Sequence, residues 1–193
     1  MDINLFIVAV YSYLLGSIPF GLLLTKIFLK KDIRTVGSGN IGATNVLRTG
    51  NKFLAIATLF LDLLKGYISV YISTFYFENL ISLSALICFI GHIFPIWLKF
   101  KGGKGVATYL GIILAFSYKF FLIFSVSWIS LSLLFRFASL SSMISTLIVF
   151  LYAYFFEINN NILILFIFFV MILFTHKENI LRLKSSTENK IKL

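Results

Sequence analysis

Leu80-Ile81-Ser82-Leu83-Ser84-Ala85-Leu86-Ile87-Cys88-Phe89-Ile90-Gly91-His92-Ile93-Phe94-Pro95-Ile96-Trp97-Leu98 runs without a break into Lys99-Phe100-Lys101-Gly102-Gly103-Lys104-Gly105. The first part has the length of a membrane-spanning helix, roughly 17–25 apolar residues. The second is a cationic, glycine-rich segment of the kind that stays at the membrane–water boundary. An apolar span that ends in a polar motif sets the fold class, and the pattern repeats on either side of it.

The whole chain of 193 residues is 60% hydrophobic with 23 Phe, against roughly 45–50% apolar residues in soluble domains. Its mean hydropathy is +1.00. A soluble protein of this size has no interior large enough for so much apolar surface, whereas a bilayer accepts it. Seven apolar segments can be drawn, at 3–29, 53–76, 80–98, 105–117, 119–136, 139–156 and 161–175. The expectation is an all-α integral membrane protein of about seven transmembrane helices, forming one domain over 1–193. The fourth and seventh segments are short, and a helix of about 13 residues reaches only about 20 Å. The fourth therefore needs shielding by its neighbours, and a five-span reading is the alternative. The N-terminus lacks a basic n-region and a cleavage site, so it reads as a first span.

Charge orients the bundle. With the N-terminus outside, the inner gaps hold Lys30, Lys31, Arg34, Arg48 and Lys52, then Lys99, Lys101 and Lys104, then Arg136. The tail adds Lys177, Arg182, Lys184, Lys190 and Lys192, which makes fourteen of the seventeen Lys and Arg residues. The outer gaps hold Lys119 with Asp2, Glu78 and Glu157. The positive-inside rule then puts the C-terminus in the cytoplasm. The net charge of +10 follows from this placement and calls for no nucleic-acid partner. Inside the spans, Asp62 and Lys65 share one helix face and can neutralise each other. Lys26 can snorkel, and Pro19 should kink or break the first helix.

The inner gaps also carry the polar motifs. Gly37-Ser38-Gly39-Asn40-Ile41-Gly42-Ala43-Thr44-Asn45-Val46-Leu47-Arg48 suits a tight loop entering a helical turn. Backbone N–H groups there can face an anion, and Arg48 can clamp phosphate oxygens with its planar fork. An interhelical turn would use two or three such residues, fewer than this stretch contains. Lys101-Gly102-Gly103-Lys104-Gly105 offers bare backbone and a cation ahead of a helix, which suits phosphate. It is not a Walker loop, because Lys104 is followed by Gly105 and no strand precedes it. His92 lies just before this loop and is either a helix contact or a functional group. Ser142 follows the next inner turn, where its expected role is an N-cap. His176 and Asn179 share a face where the last helix leaves the membrane, with Lys177 and Arg182 beside them.

Some chemistries are excluded. Five residues after His92 is Trp97, and five after His176 is Leu181, so the His-x-x-x-x-Asp acyltransferase dyad is absent. No Gly-x-Ser-x-Gly occurs and no His/Cys metal cluster. The lone Cys88 forms no disulfide and is expected to pack. Any catalysis has to come from positioning and charge, with no built-in nucleophile, metal or cofactor. A transporter for a phosphorylated solute would need a polar path to both faces, and its inverted repeats are not seen.

Taken together, Leu15–Gly21, Ser38–Arg48, Leu61–Gly66, Gly91–Thr108, Ser139–Ser142 and His176–Leu183 resemble the PlsY family of acyl-phosphate:glycerol-3-phosphate acyltransferases, nearly end to end. The resemblance implies seven spans, three cytoplasmic motifs and an active site at the cytoplasmic face of the bacterial inner membrane. It implies acyl transfer from acyl phosphate to the 1-hydroxyl of glycerol 3-phosphate, as the first step of phospholipid synthesis, and a functional link to the enzyme that makes acyl phosphate. Position by position it implies catalytic roles for Ser38, Arg48, Lys104, His176 and Asn179, and phosphate binding by Gly102, Gly103, Ser142 and Lys177. The chain departs from the family at Lys177, where Arg is more usual, and at Ser186-Thr187-Glu188, where the family has Gly-x-Glu. Glu188 still matches a structural carboxylate.

Overall fold

A computed structural model describes residues 3–157 and 161–191; Asp2 and Lys192 of the charge count lie outside them. The chain forms two units of packed helices, Met1–Phe116 and Ser117–Leu193. Every regular element among the described residues is helical.

The first unit holds α1 (Ile3–Ser17), α2 (Phe20–Leu29), α3 (Ala43–Leu47), α4 (Lys52–Tyr76), α5 (Ile81–Ile93) and α6 (Val106–Phe116). As expected from Pro19, the first apolar segment is broken, between α1 and α2. Proline brings no N–H and clashes with the preceding turn, so the helical ladder stops there. Two carbonyls at the break take side-chain donors: Lys65 Nζ reaches the Ile18 oxygen at 2.8 Å, and Trp97 Nε1 reaches the Ser17 oxygen at 2.7 Å. The helices meet through small residues, which lets backbones approach closely. A Cβ on Gly16 would collide with the Cys88 carbonyl of α5, and one on Gly111 of α6 would collide with the Leu63 carbonyl of α4. Buried hydroxyls of Ser12, Ser69 and Ser84 bond to one another at 2.9 and 3.0 Å, tying α1, α4 and α5 together. Cys88 is buried, as expected.

The second unit holds α7 (Tyr118–Phe135), α8 (Ala138–Phe156), α9 (Ile162–Thr175) and α10 (Lys177–Lys184). The α9 and α10 axes bend by 60° at His176. Aromatic contacts fill the unit: Phe120 packs edge-on against Tyr152 at 6.3 Å, and Phe150 meets Phe166 at 5.4 Å.

Five segments are long and apolar enough to cross a membrane: Ile3–Leu29, Lys52–Tyr76, Glu78–Leu98, Tyr118–Phe135 and Ala138–Phe156. The bent pair α9 and α10 makes a sixth if it is taken as one span. All seven apolar segments of the sequence are helical, but α6, at 11 residues, is about 16 Å long and does not span alone. Its Thr108, Tyr109, Gly111, Ile112 and Ile113 are buried, so protein shields it where lipid cannot. Large apolar side chains such as Phe53, Ile56, Phe60 and Phe75 face outward from α4, as lipid contact requires.

Candidate active site

The first polar motif is organised by one buried side chain. Asn45, in α3, donates through Nδ2 toward the carbonyls of Ile33, Val36 and Asn40 at 3.1, 2.9 and 2.8 Å. Its Oδ1 accepts the Ser38 N–H at 3.0 Å. The loop can wind around Asn45 because Gly37 and Gly39 take positive φ values of 55° and 69°. Gly42 opens α3, and its N–H is held by Asn40 Oδ1 at 2.9 Å. Beneath the loop lies an apolar floor of Leu22, Ile33, Ile41, Val46, Leu54 and Ala55. Ser38 and Arg48 are exposed above it. Arg48 closes α3, and its side chain crosses Gly37: a Cβ there would stand 2.8 Å from Arg48 Cδ and 3.1 Å from Nη1. The guanidinium therefore lies against Gly37, the residue before Ser38, in space that a side chain at 37 would take. Nearby, Arg34 grips Asp32 at 2.9 and 2.6 Å. Chiefly through that hydrogen bond, against a modest burial effect, the Asp32 carboxyl falls to about 2.

The second motif is built differently from the expectation. Lys99 and Phe100 both adopt left-handed backbone, with φ of 52° and 61°, and turn the chain back along the end of α5. Gly102 N–H then donates to the Ile93 carbonyl at 2.9 Å, and Gly103 N–H donates to the His92 carbonyl at 3.0 Å. The two glycine amides expected to be bare are thus committed to the protein. What the glycines provide is closeness, since a Cβ on Gly102 would strike the His92 carbonyl and one on Gly103 would strike the imidazole. Lys104 follows, half-buried, and α6 starts at once: Tyr109 N–H is bonded to the Gly105 carbonyl at 2.7 Å. The amides ahead of that bond have no partner one turn back within the helix, so α6 presents its positive end beside Lys104.

In the second unit, Ser142 is not an N-cap. Helix α8 starts at Ala138 with Phe137 before it, so Ser142 lies inside the helix. Its hydroxyl donates to the Ala138 carbonyl at 2.8 Å and accepts Trp128 Nε1–H at 3.0 Å. His176 sits at the α9–α10 bend, buried. Its Nδ1 lies 2.8 Å from the Ile172 carbonyl, which can only accept, so Nδ1 carries the proton and Nε2 is the basic nitrogen of the neutral ring. Asn179 shares the buried face with His176, but Lys177 does not: it is exposed, with Nζ 5.5 Å from the Phe174 ring. Asn179 Nδ2 donates to Glu188 Oε1 at 2.6 Å. Ser139 also donates to that oxygen, at 2.8 Å, and Arg182 Nε donates to the other oxygen at 2.8 Å. Glu188 thus ties the tail to α8 and α10, as a structural carboxylate would. Its partial burial works against the charge, yet these three donors overcome it and hold the carboxyl below its ordinary value.

Asp62, Lys65 and His92 form a further buried group, with Lys65 Nζ 2.7 Å and His92 Nδ1 3.8 Å from Asp62 Oδ1. The sequence reading missed Asn45 as an organiser and Trp128 as the partner of Ser142. The one available signal was that Asn45 sits at the helical end of a loop too rich in polar residues for a simple turn.

A model of the family described as glycerol-3-phosphate acyltransferase matches residues 6–186. A glycerol-3-phosphate acyltransferase of Pelagibacter ubique is 54% identical over 187 residues, covering 97% of each chain. One from Mesorhizobium japonicum is 47% identical, covering 99% of this chain and 98% of the other. Crystal structures of PlsY (YgiH), an integral membrane glycerol 3-phosphate acyltransferase, superpose on the protein at 35% identity. The glycerol 3-phosphate form gives a TM-score of 0.92 over 97% of this chain and 96% of that one. The lysophosphatidic acid form gives 0.90 over 97% and 95%. With the family matched along almost the whole sequence and the helices superposing on a solved member, the chain belongs to the glycerol-3-phosphate acyltransferases, as an integral membrane acyltransferase.

Proposed function

We propose that the protein moves an acyl chain from acyl phosphate to the 1-hydroxyl of sn-glycerol 3-phosphate, giving 1-acyl-glycerol 3-phosphate and inorganic phosphate. The observation that carries this reading is the Arg48 guanidinium lying against Gly37, on the loop that Asn45 locks through the Ser38 N–H. A cationic fork on a loop that also carries a hydroxyl suits a reaction between two phosphate-bearing substrates. The relatives crystallised with glycerol 3-phosphate and with lysophosphatidic acid support the acceptor and the product.

Acyl phosphate is already activated, so direct attack needs no acyl-enzyme. The glycerol oxygen attacks the acyl carbonyl carbon, the bond between that carbon and the bridging oxygen of the phosphate breaks, and inorganic phosphate leaves with the bonding pair. Ser38 orients the attacking hydroxyl. Arg48 and Lys104 stabilise the charge that leaves with phosphate, while Gly102, Gly103, Ser142 and Lys177 shape or bind at the phosphate sites. The hydroxyl proton passes to a substrate phosphate, with the basic Nε2 of His176 as the competing acceptor. Asn179 acts by setting the helix that carries His176.

Residues 1–193 then work as one catalytic domain. The N-terminus lies outside, the active face is cytoplasmic, and the reaction opens phospholipid synthesis in the bacterial inner membrane, downstream of the enzyme that makes acyl phosphate. The charge distribution supports that orientation. The test is purified protein in lipid with glycerol 3-phosphate and either palmitoyl phosphate or palmitoyl-CoA. Product from palmitoyl phosphate alone is expected. Product from palmitoyl-CoA overturns the donor assignment, and no product from either overturns the reaction.

A further inference from the structure

The chemistry above leaves the buried ionisable side chains of the first unit without a task. Asp62, Lys65 and His92 are 2%, 3% and 4% exposed. An ion pair is costly to bury, and its retention calls for a structural return. Lys65 has one, since it also holds the carbonyl of Ile18 at the break in the first helix. His92 has a different neighbour on each edge. Its Nδ1 edge is turned to Asp62, at 3.8 Å, and its Nε2 edge fills the space that a side chain on Gly103 would need. Its own carbonyl accepts the Gly103 N–H, while Gly102 is held by the next carbonyl, Ile93. Gly103, the residue that delivers Lys104, therefore lies on the backbone and the ring of one residue.

We propose that His92, backed by the Asp62 carboxylate, is a positioning residue that sets the height of Gly103 and so the placement of Lys104. The inference rests on the reading of Lys104 as a phosphate-binding cation. The ring is a spacer of fixed thickness between α4 and the loop. Glycine at 103 and imidazole at 92 are then a matched pair: a methyl group added at 103 has room only if the ring is removed. Gly102 makes no such pair, because a Cβ there would meet the carbonyls of His92 and Ile93, which every residue type retains.

A double-mutant cycle on the protein in lipid, with glycerol 3-phosphate and palmitoyl phosphate, tests this. Gly103→Ala is expected to lower kcat/KM by about 100-fold and His92→Ala by about tenfold. The double variant should exceed the product of the two single effects by at least about tenfold, since the methyl then occupies vacated space. Gly102→Ala combined with His92→Ala should show no such recovery. If Gly103→Ala lowers the yield of folded protein, the same cycle is read on thermal stability, where His92→Ala should restore it. Additive effects at 103, or equal recovery at 102 and 103, overturn the proposal. The underlying reading fails separately, by full activity of Lys104→Ala.

Discussion

Asn45 Oδ1 accepts the backbone N–H of Ser38 at 3.0 Å, so the residue proposed to orient the attacking hydroxyl is set by a side chain seven positions further on. The same carboxamide gathers three carbonyls. Asn45→Ala strands these groups in a buried site, at a cost of about 1–3 kcal/mol. Thermal unfolding should shift down, and turnover should fall by at least about 100-fold, because a loop misplaced by about 1 Å loses its geometry. A stable variant with full turnover would show that the loop does not need its hub.

Arg48→Lys keeps the charge and loses the planar fork. Its activity should lie well below the parent, and Arg48→Ala should lose about 100- to 1000-fold in kcat. Arg48 is exposed, so both variants should fold normally. Initial rates with palmitoyl phosphate give the answer, and equal rates for Lys and Arg would remove the case for bidentate contact.

His176→Asn retains an amide donor near the position of Nδ1, able to reach the Ile172 carbonyl, and removes Nε2. If Nε2 takes the proton, activity should fall by about 100- to 10,000-fold at every pH while the helix bend persists. Retained activity would instead assign the proton to substrate phosphate and leave His176 the role of fixing the bend.

Glu188 has a folded-state pKa below its ordinary value of 4.5. A depressed carboxyl contributes its stability in full above the unfolded value and loses it as pH falls through the folded value. Glu188→Gln should therefore lower thermal stability at neutral pH by about 1–3 kcal/mol. The difference from the parent should narrow as pH drops below about 4.5. A gap that stays constant with pH would mean that the charge plays no part. Melting in detergent across a pH series measures it.

Which features could be read from the sequence follows a physical division. Local chemistry was legible: Pro19 broke its helix, Asp62 and Lys65 paired one turn apart, Gly37 and Gly39 took positive φ, and the apolar runs became helices. Long-range commitments were not. The Gly102 and Gly103 amides looked available because a sequence counts donors without showing where they are spent, and α5 had already claimed them. Ser142 looked like a cap because it follows an inner turn, yet the segment drawn from 139 already ran through it, and α8 starts at Ala138. Lys65 looked complete with Asp62, since its second partner, Ile18, is 47 positions away. Glu188 was expected to be structural only through the family resemblance, as nothing near it in sequence points to Ser139.

The broken first helix has an evolutionary consequence. Its loose carbonyls are met by an ammonium from α4 and an indole from beyond α5. A leucine at position 19 would let the helix re-form and draw those carbonyls back into the ladder, leaving Lys65 with Asp62 alone and the Trp97 N–H without its acceptor. A polar residue lost at 65 would orphan the break in turn. Each change alters what the other positions must satisfy, so substitutions at 19, 65 and 97 are coupled through the two carbonyls of the break.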